Sequence, residues 1–165
     1  MRKPKINRKP PEPWAGLGAA GTGHPGIVDL YLHDAPYVAA QSPTASELIQ
    51  GIRRGLPVSE LNALQTVLDM PIEQLAPKLG ISRATLNRRL AKGRLEPLES
   101  DRLVRFARLV GKATEALENK ENARRWLSSP QVGLGGAIPL DYAETEVGAR
   151  EVEDLLGRIE YGVYS

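Results

Sequence analysis

Side chains able to do acid–base or nucleophilic chemistry are scarce in this sequence. Two histidines and no cysteine leave little from which to build a nucleophile–base pair. Asp29, His33 and Asp34, with His24 nearby, are the only clustered potential metal ligands, and their spacing fits no recognised ligand pattern. No catalytic constellation, metal site or cofactor is expected, and the chain reads as a non-enzyme. The chemistry it offers is recognition. Residues 81–95 carry Arg83, Arg88, Arg89, Lys92 and Arg94 without an acid, a cluster suited to phosphate. Residues 141–160 carry seven acids against Arg150 and Arg158, a face suited to a basic partner.

The basic cluster falls on a pattern of two short helices joined by a tight turn, over residues 72–91. Ala76 has the small side chain needed where two helices cross, and Gly80 supplies the positive φ that a sharp turn demands. Ile81, Leu86 and Leu90 are expected to form the buried side of the second helix. Ser82, Arg83, Thr85, Asn87 and Arg88 are left for the exposed side and the N-terminal end. Those types suit a DNA groove: arginine can make two bonds to guanine, asparagine can pair with adenine, and hydroxyls reach phosphate or base. One residue argues the other way. Pro77 lies inside the first helix, where it removes a backbone bond and crowds the preceding turn, at about 3 kcal/mol in a regular helix. The same stretch also reads as a helical hairpin with a charged outer face.

The elements that must position these residues are helical from residue 44 onward. Thr44 with Glu47 forms a capping box ahead of Leu48, Ile49 and Ile52, and Gly55 stops that helix. Pro57 opens a second helix with Leu61, Leu64 and Leu68 on one face, and Pro71 opens a third that ends at Gly80. A fourth runs from Ser82 to about Lys92, closed by Gly93. The longest, roughly 98–118, shows one apolar stripe of Leu103, Phe106, Ala107, Val110, Ala113 and Leu117. Asn119 caps a short helix with Ala123, Trp126 and Leu127. A loop spans 128–136, and a last helix at about 146–160 lines up Val152, Leu155, Leu156 and Ile159. The expected fold is all-α.

Before residue 44 the pattern is lost. Prolines at 4, 10, 11, 13, 25, 36 and 43 and glycines at 16, 18, 21, 23 and 26 predict an irregular arm, with a short strand-like or packed piece at 27–32. Residues 2–9 carry five Lys or Arg and no acid, either a DNA clamp or a solvated tail. The 165 residues, 25% charged and 41% hydrophobic, suit one ordinary soluble domain or two small ones. No apolar run approaches the roughly 20 residues of a membrane span. No apolar stretch follows the basic start, so no secretory signal is expected. The absence of cysteine fits a reducing cytoplasm.

The C-terminal third carries several separated motifs in order. They are Ala123-Arg124-Arg125-Trp126-Leu127-Ser128-Ser129-Pro130, then Leu134-Gly135-Gly136-Ala137-Ile138-Pro139-Leu140-Asp141. The last is Gly148-Ala149-Arg150-Glu151-Val152-Glu153-Asp154-Leu155-Leu156-Gly157-Arg158-Ile159-Glu160-Tyr161-Gly162-Val163-Tyr164-Ser165. This series resembles the toxin-binding domain of the Xre/MbcA/ParS-type antitoxins. The stretch before it, with Leu86-Asn87-Arg88-Arg89-Leu90 and Glu99-Ser100-Asp101-Arg102-Leu103, is similar to the Xre-like helix-turn-helix domain of those proteins. The resemblance covers about residues 45–165. It implies a helix-turn-helix domain over 44–112 and a toxin-binding domain over 113–165, which follow the irregular arm over 1–43.

It also implies a partner toxin of the RES-domain type, which consumes NAD and whose active site the antitoxin's C-terminal segment covers. Autorepression by binding operator DNA, a homodimer and a higher-order toxin–antitoxin complex are further implied. The residues make physical sense in that role. Gly162 interrupts the last helix and frees Val163, Tyr164 and Ser165 to project. An aromatic ring at Tyr164 suits a pocket shaped for a nucleobase or nicotinamide, and a carboxylate at Ser165 suits a phosphate-gripping arginine. Arg150, Glu153, Asp154 and Arg158 are expected on the exposed side of the helix, with Tyr161 beyond them. Tyr161 and Tyr164 have a competing place, folded back on Trp126 or on a dimer mate. Trp126 itself reads as core. Small residues at Gly148 and Ala149 suit close helix approach, and Gly133, Gly135 and Gly136 suit loop conformation. A stand-alone helix-turn-helix repressor, and a neutraliser that never touches DNA, are the alternative functions.

Overall fold

The computed structural model describes residues 26–32 and 43–162. Among the described residues there is no strand. The only β-type pairings are isolated bridges, Pro57 with Arg94 and Gln131 with Ala137, so the fold is all-α. The His24, His33 and Asp34 cluster, the basic run at 2–9 and the projecting residues 163–165 lie outside the described residues.

The chain order is α1 (Ile27–Leu32), α2 (Ala45–Arg54), α3 (Val58–Leu68), α4 (Ile72–Lys78), α5 (Arg83–Lys92), α6 (Pro97–Leu117) and α7 (Lys120–Leu127). A single 3-10 turn (Val132–Leu134), α8 (Pro139–Tyr142) and α9 (Glu146–Glu160) follow. Local chemistry sets most boundaries. Thr44 and Glu47 make the reciprocal capping box. Asn119 and Thr145 accept backbone N–H bonds at the starts of α7 and α9. Pro57 and Pro71 stand at the caps of α3 and α4, so Pro71 sits one residue before its helix.

Helix α6 is the central post. Leu103, Phe106, Ala107, Leu109, Val110 and Ala113 are all buried along it, and α1, α7 and α9 lean on it. One core joins the whole described chain, from Ile27 and Leu61 through Phe106 to Leu127, Val152 and Leu156. The boundary expected between residues 112 and 113 falls inside this unbroken helix.

The expectation for 27–32 needs correcting. The piece is helical, not strand-like, and it is packed into the core: Ile27 and Val28 are 0% and 1% exposed. A buried carboxylate of α3 receives it, as the Val28 N–H donates to Glu60 Oε2 at 3.3 Å. Gly111 of α6 lets it approach, because a Cβ there would stand 2.4 Å from the Tyr31 carbonyl oxygen. A six-residue helix is too short to hold itself in water. Tertiary burial decides its conformation.

Candidate functional site: a helix-turn-helix and an exposed C-terminal helix

The two-helix unit forms as its spacing predicts. α4 ends one residue beyond Pro77, so the missing N–H falls in the last turn of a seven-residue helix. The turn closes normally, with Ile81 N–H donating to Ala76 O at 2.9 Å and Gly80 at φ +76°. Arg102 of α6 donates to the Leu79 carbonyl at 3.3 Å and braces the turn from below.

Ser82 is the N-cap of α5, accepting from Thr85 N–H at 3.2 Å, and the two hydroxyls lie 3.0 Å apart. Both are thus engaged in capping. Arg83, Asn87 and Arg88 are exposed, and neither arginine has an ion-pair partner among the described residues. The rest of the basic cluster is occupied by the fold. Arg89 forks onto Glu99 through Nε at 2.8 Å and Nη2 at 3.0 Å. Lys92 pairs with Glu96 at 3.1 Å, and Arg94 donates to the Gly55 carbonyl at 2.6 Å. Leu90, expected inside, is 43% exposed. Arg89 has the inward position instead, because its long side chain can cross to the carboxylate of α6. On this helix the arginines that stay exposed are therefore Arg83 and Arg88.

In the C-terminal part, α9 buries Gly148, Ala149, Val152 and Leu156. Gly148 is required by close approach, since a Cβ would lie 1.8 Å from the Tyr142 carbonyl oxygen. Gly133 likewise faces Leu155, whereas Gly135 and Gly136 hold positive φ.

A seam of ion pairs joins α9 and α8 to the rest. Arg105 Nε meets Glu146 at 3.0 Å, Arg108 Nε meets Glu153 at 2.7 Å and Lys112 Nζ meets Glu153 at 2.6 Å. Lys78 of α4 pairs with Asp141 of α8. Burial alone would raise the Glu146 carboxyl. Hydrogen bonds from Arg150 and Arg105, with the charges of Arg108 and Arg105, nevertheless hold it below the usual range.

Glu153, expected on the exposed side, is corrected by this seam. Its side chain is only 15% exposed and is spent on α6. Arg150 is exposed beside Glu146, and Asp154, Arg158 and Tyr161 are exposed, Tyr161 at 78%. Sequence reasoning missed Val147, 74% exposed, and Glu151. Residues 147, 151, 154, 158 and 161 share one helical stripe. The signal was there, in an apolar residue three before Arg150 on the side opposite Val152.

These features define a class: a helix-turn-helix unit and a helical C-terminal unit built around one long helix, with α5 and α9 each showing a polar outer face. Residues 47–108 match the antitoxin Xre-like helix-turn-helix domain. Residues 112–162 match the antitoxin Xre/MbcA/ParS C-terminal toxin-binding domain.

An Antitoxin Xre of Yersinia enterocolitica is 38% identical over 120 residues, 72% of this chain and 81% of the relative. An Antitoxin Xre of Photorhabdus laumondii is 33% identical, over 69% of this chain and 78% of its own. A Sphingobium protein named Prs ADP-ribosylating antitoxin is 27% identical over 78% of this chain and 87% of its own. The chain belongs to the Xre antitoxin family, with a toxin as the partner its C-terminal domain implies. Among the described residues no helix is long and apolar enough to cross a membrane.

Proposed function

We propose that this chain neutralises a cytoplasmic RES-domain toxin that consumes NAD, by laying the outer stripe of α9 and residues 163–165 over the toxin's active site. The chain acts by covering and not by catalysis. The observation that carries this reading is the stripe itself. Val147, Glu151, Asp154, Arg158 and Tyr161 are exposed on the outer side of α9, whose inner side buries Gly148, Ala149, Val152 and Leu156. Arg150 flanks the stripe. Tyr164 follows it in sequence and brings a ring to the toxin's NAD pocket.

The same chain represses its own operon through α5. Arg83, Asn87 and Arg88 read the operator, while Ser82 and Thr85 fix the start of the helix against the backbone of the DNA. A homodimer presents two such helices to two half-sites, and toxin joins it in a higher-order complex.

Co-expression with the toxin gene tests the first part. Growth is rescued by the full chain, and removal of residues 160–165 weakens rescue while the helical spectrum is kept. Undiminished rescue by that truncation rejects the covering mechanism. For the second part, Arg83→Ala and Asn87→Ala each weaken operator binding by about 1–3 kcal/mol if they contact bases. The salt dependence of the gel shift reports the phosphate contacts.

A further inference from the structure

The stretch that matches the toxin-binding domain, residues 112–162, holds a surface feature that the outer stripe of α9 does not use. A shallow pocket of about 340 Å³ opens beside α7, lined by Leu117, Asn122, Arg125, Trp126, Ser129 and Gln131. Leu117 and Trp126 are half-buried and supply an apolar floor. Gln131 is a fixed wall, its Nε2 donating to the Trp126 and Ser129 carbonyls at 2.9 and 3.0 Å. The Ser129 hydroxyl is held as well, donating to the Arg125 carbonyl at 2.7 Å. Two walls are therefore set before anything binds, which spares the entropy cost of ordering them.

The one charged group among the six lining residues is Arg125. Its side chain is 70% exposed and its ion pair with Glu121 is long, at 3.7 Å. A guanidinium held this loosely is able to turn to a new carboxylate.

The pocket is also continuous with α9. The chain leaves it at Gln131 and packs on α9 two residues later, where a Cβ at Gly133 would lie 2.7 Å from Leu155 Cδ1. Leu155 is next to Asp154 of the outer stripe, and Val132, between the pocket and that contact, is 95% exposed. Alone, such a side chain needs no explanation. Next to an apolar floor it enlarges a patch of the kind that marks a protein–protein contact.

We propose that this pocket receives an aromatic side chain of the partner toxin, with a toxin carboxylate beside it. The ring lies on the Trp126 indole and the carboxylate pairs with Arg125. An aromatic anchor in a pocket of this kind commonly dominates the affinity of an interface. The inference rests on the proposed docking of α9 on toxin and extends that surface across the 3-10 turn to α7.

The test uses the full chain and its purified toxin. Trp14→Phe leaves Trp126 as the only indole, since the sequence has two tryptophans, and 5-fluorotryptophan makes it visible by ¹⁹F NMR. Toxin is expected to move the Trp126 signal. Ser129→Trp, which fills the pocket, and Arg125→Glu, which reverses the rim charge, are each expected to weaken toxin binding about tenfold, the scale of a lost interface anchor. Arg125→Glu changes only the exposed rim, so it decides the matter should Ser129→Trp fail to fold. An unmoved signal, or unchanged affinity in either folded variant, overturns the proposal. So does a Trp126 signal that shifts with concentration before toxin is added, because a second copy then fills the pocket.

An α9 variant, Asp154→Arg with Arg158→Glu, separates this failure from failure of the covering reading. Weakening by the α9 variant alone removes the pocket and keeps the covering by α9. Weakening by the pocket variants alone removes the covering by α9 and keeps the seated ring.

Discussion

Arg89 grips Glu99 with two parallel bonds, and the same Glu99 oxygen that takes Arg89 Nε also accepts the Glu96 N–H at 2.8 Å. The helix proposed to read DNA is thereby bolted to the capping box that starts α6. Both side chains are about nine-tenths covered. Arg89→Ala should lower the urea midpoint and weaken operator binding together. Arg89→Lys should recover only part of both, because an ammonium cannot reproduce the fork. A loss of DNA binding at unchanged stability would instead make Arg89 a direct contact.

Ile27 belongs to the core even though it sits among the prolines and glycines of the N-terminal region. Ile27→Ala should cost about 3 kcal/mol by removing buried methylenes and leaving a cavity. Chemical denaturation of the full chain measures it. A change below about 0.5 kcal/mol, the size of an ordinary surface substitution, would mean that α1 contributes no core.

Gly148 and Gly93 separate two reasons for glycine. Gly93 has φ +74° and open space around it, while Gly148 has a backbone oxygen where its Cβ would be. Gly93→Ala should cost about 1 kcal/mol, the penalty of the left-handed conformation alone. Gly148→Ala should cost about 3 kcal/mol, since α8 or α9 must move. It should also weaken toxin binding by displacing the outer stripe.

Acid should lower the protein's stability modestly, because the carboxyls held low lie at the surface, where solvent screens them. Glu47, hydrogen-bonded by Thr44, Glu96, hydrogen-bonded by Lys92, and Glu146 in the seam all hold carboxyls below their ordinary value of 4.5. A carboxyl with a lower pKa folded than unfolded adds stability above its unfolded pKa, and that stability is lost as pH falls through the folded one. The urea midpoint should therefore be level near neutrality and decline from about pH 4.5 downward. Changing the three glutamates to glutamine should flatten that decline. An equally steep decline in the triple variant would assign the acid sensitivity elsewhere.

Much of this was legible in the sequence because it is written locally. Thr44 with Glu47, the Gly80 turn, Asn119 and the α6 stripe each depend on residues within a turn or two of one another, and each appears as read. Arg89, Leu90 and Glu153 were misplaced for the opposite reason. Their positions are decided by Glu99, Arg108 and Lys112, which periodicity within one helix does not see. Helix α1 was hidden because six residues carry too short a pattern, and its partners Glu60 and Gly111 are far away in the chain. α8 likewise escaped notice in four residues opened by Pro139. Among the expected toxin contacts, Asp154, Arg158 and Tyr161 lie along one stripe with Arg150 at its edge, because helical spacing alone predicts that.

The unbroken run of α6 from Pro97 to Leu117 has a bearing on how such proteins can be recombined. Its early turns hold α5 through Glu99, and its later turns hold α9 through Arg108 and Lys112. A chimaera that joins the helix-turn-helix unit of one relative to the C-terminal unit of another cannot be spliced at a linker, since none separates the two. It must inherit the post whole and match both sets of clamps to it.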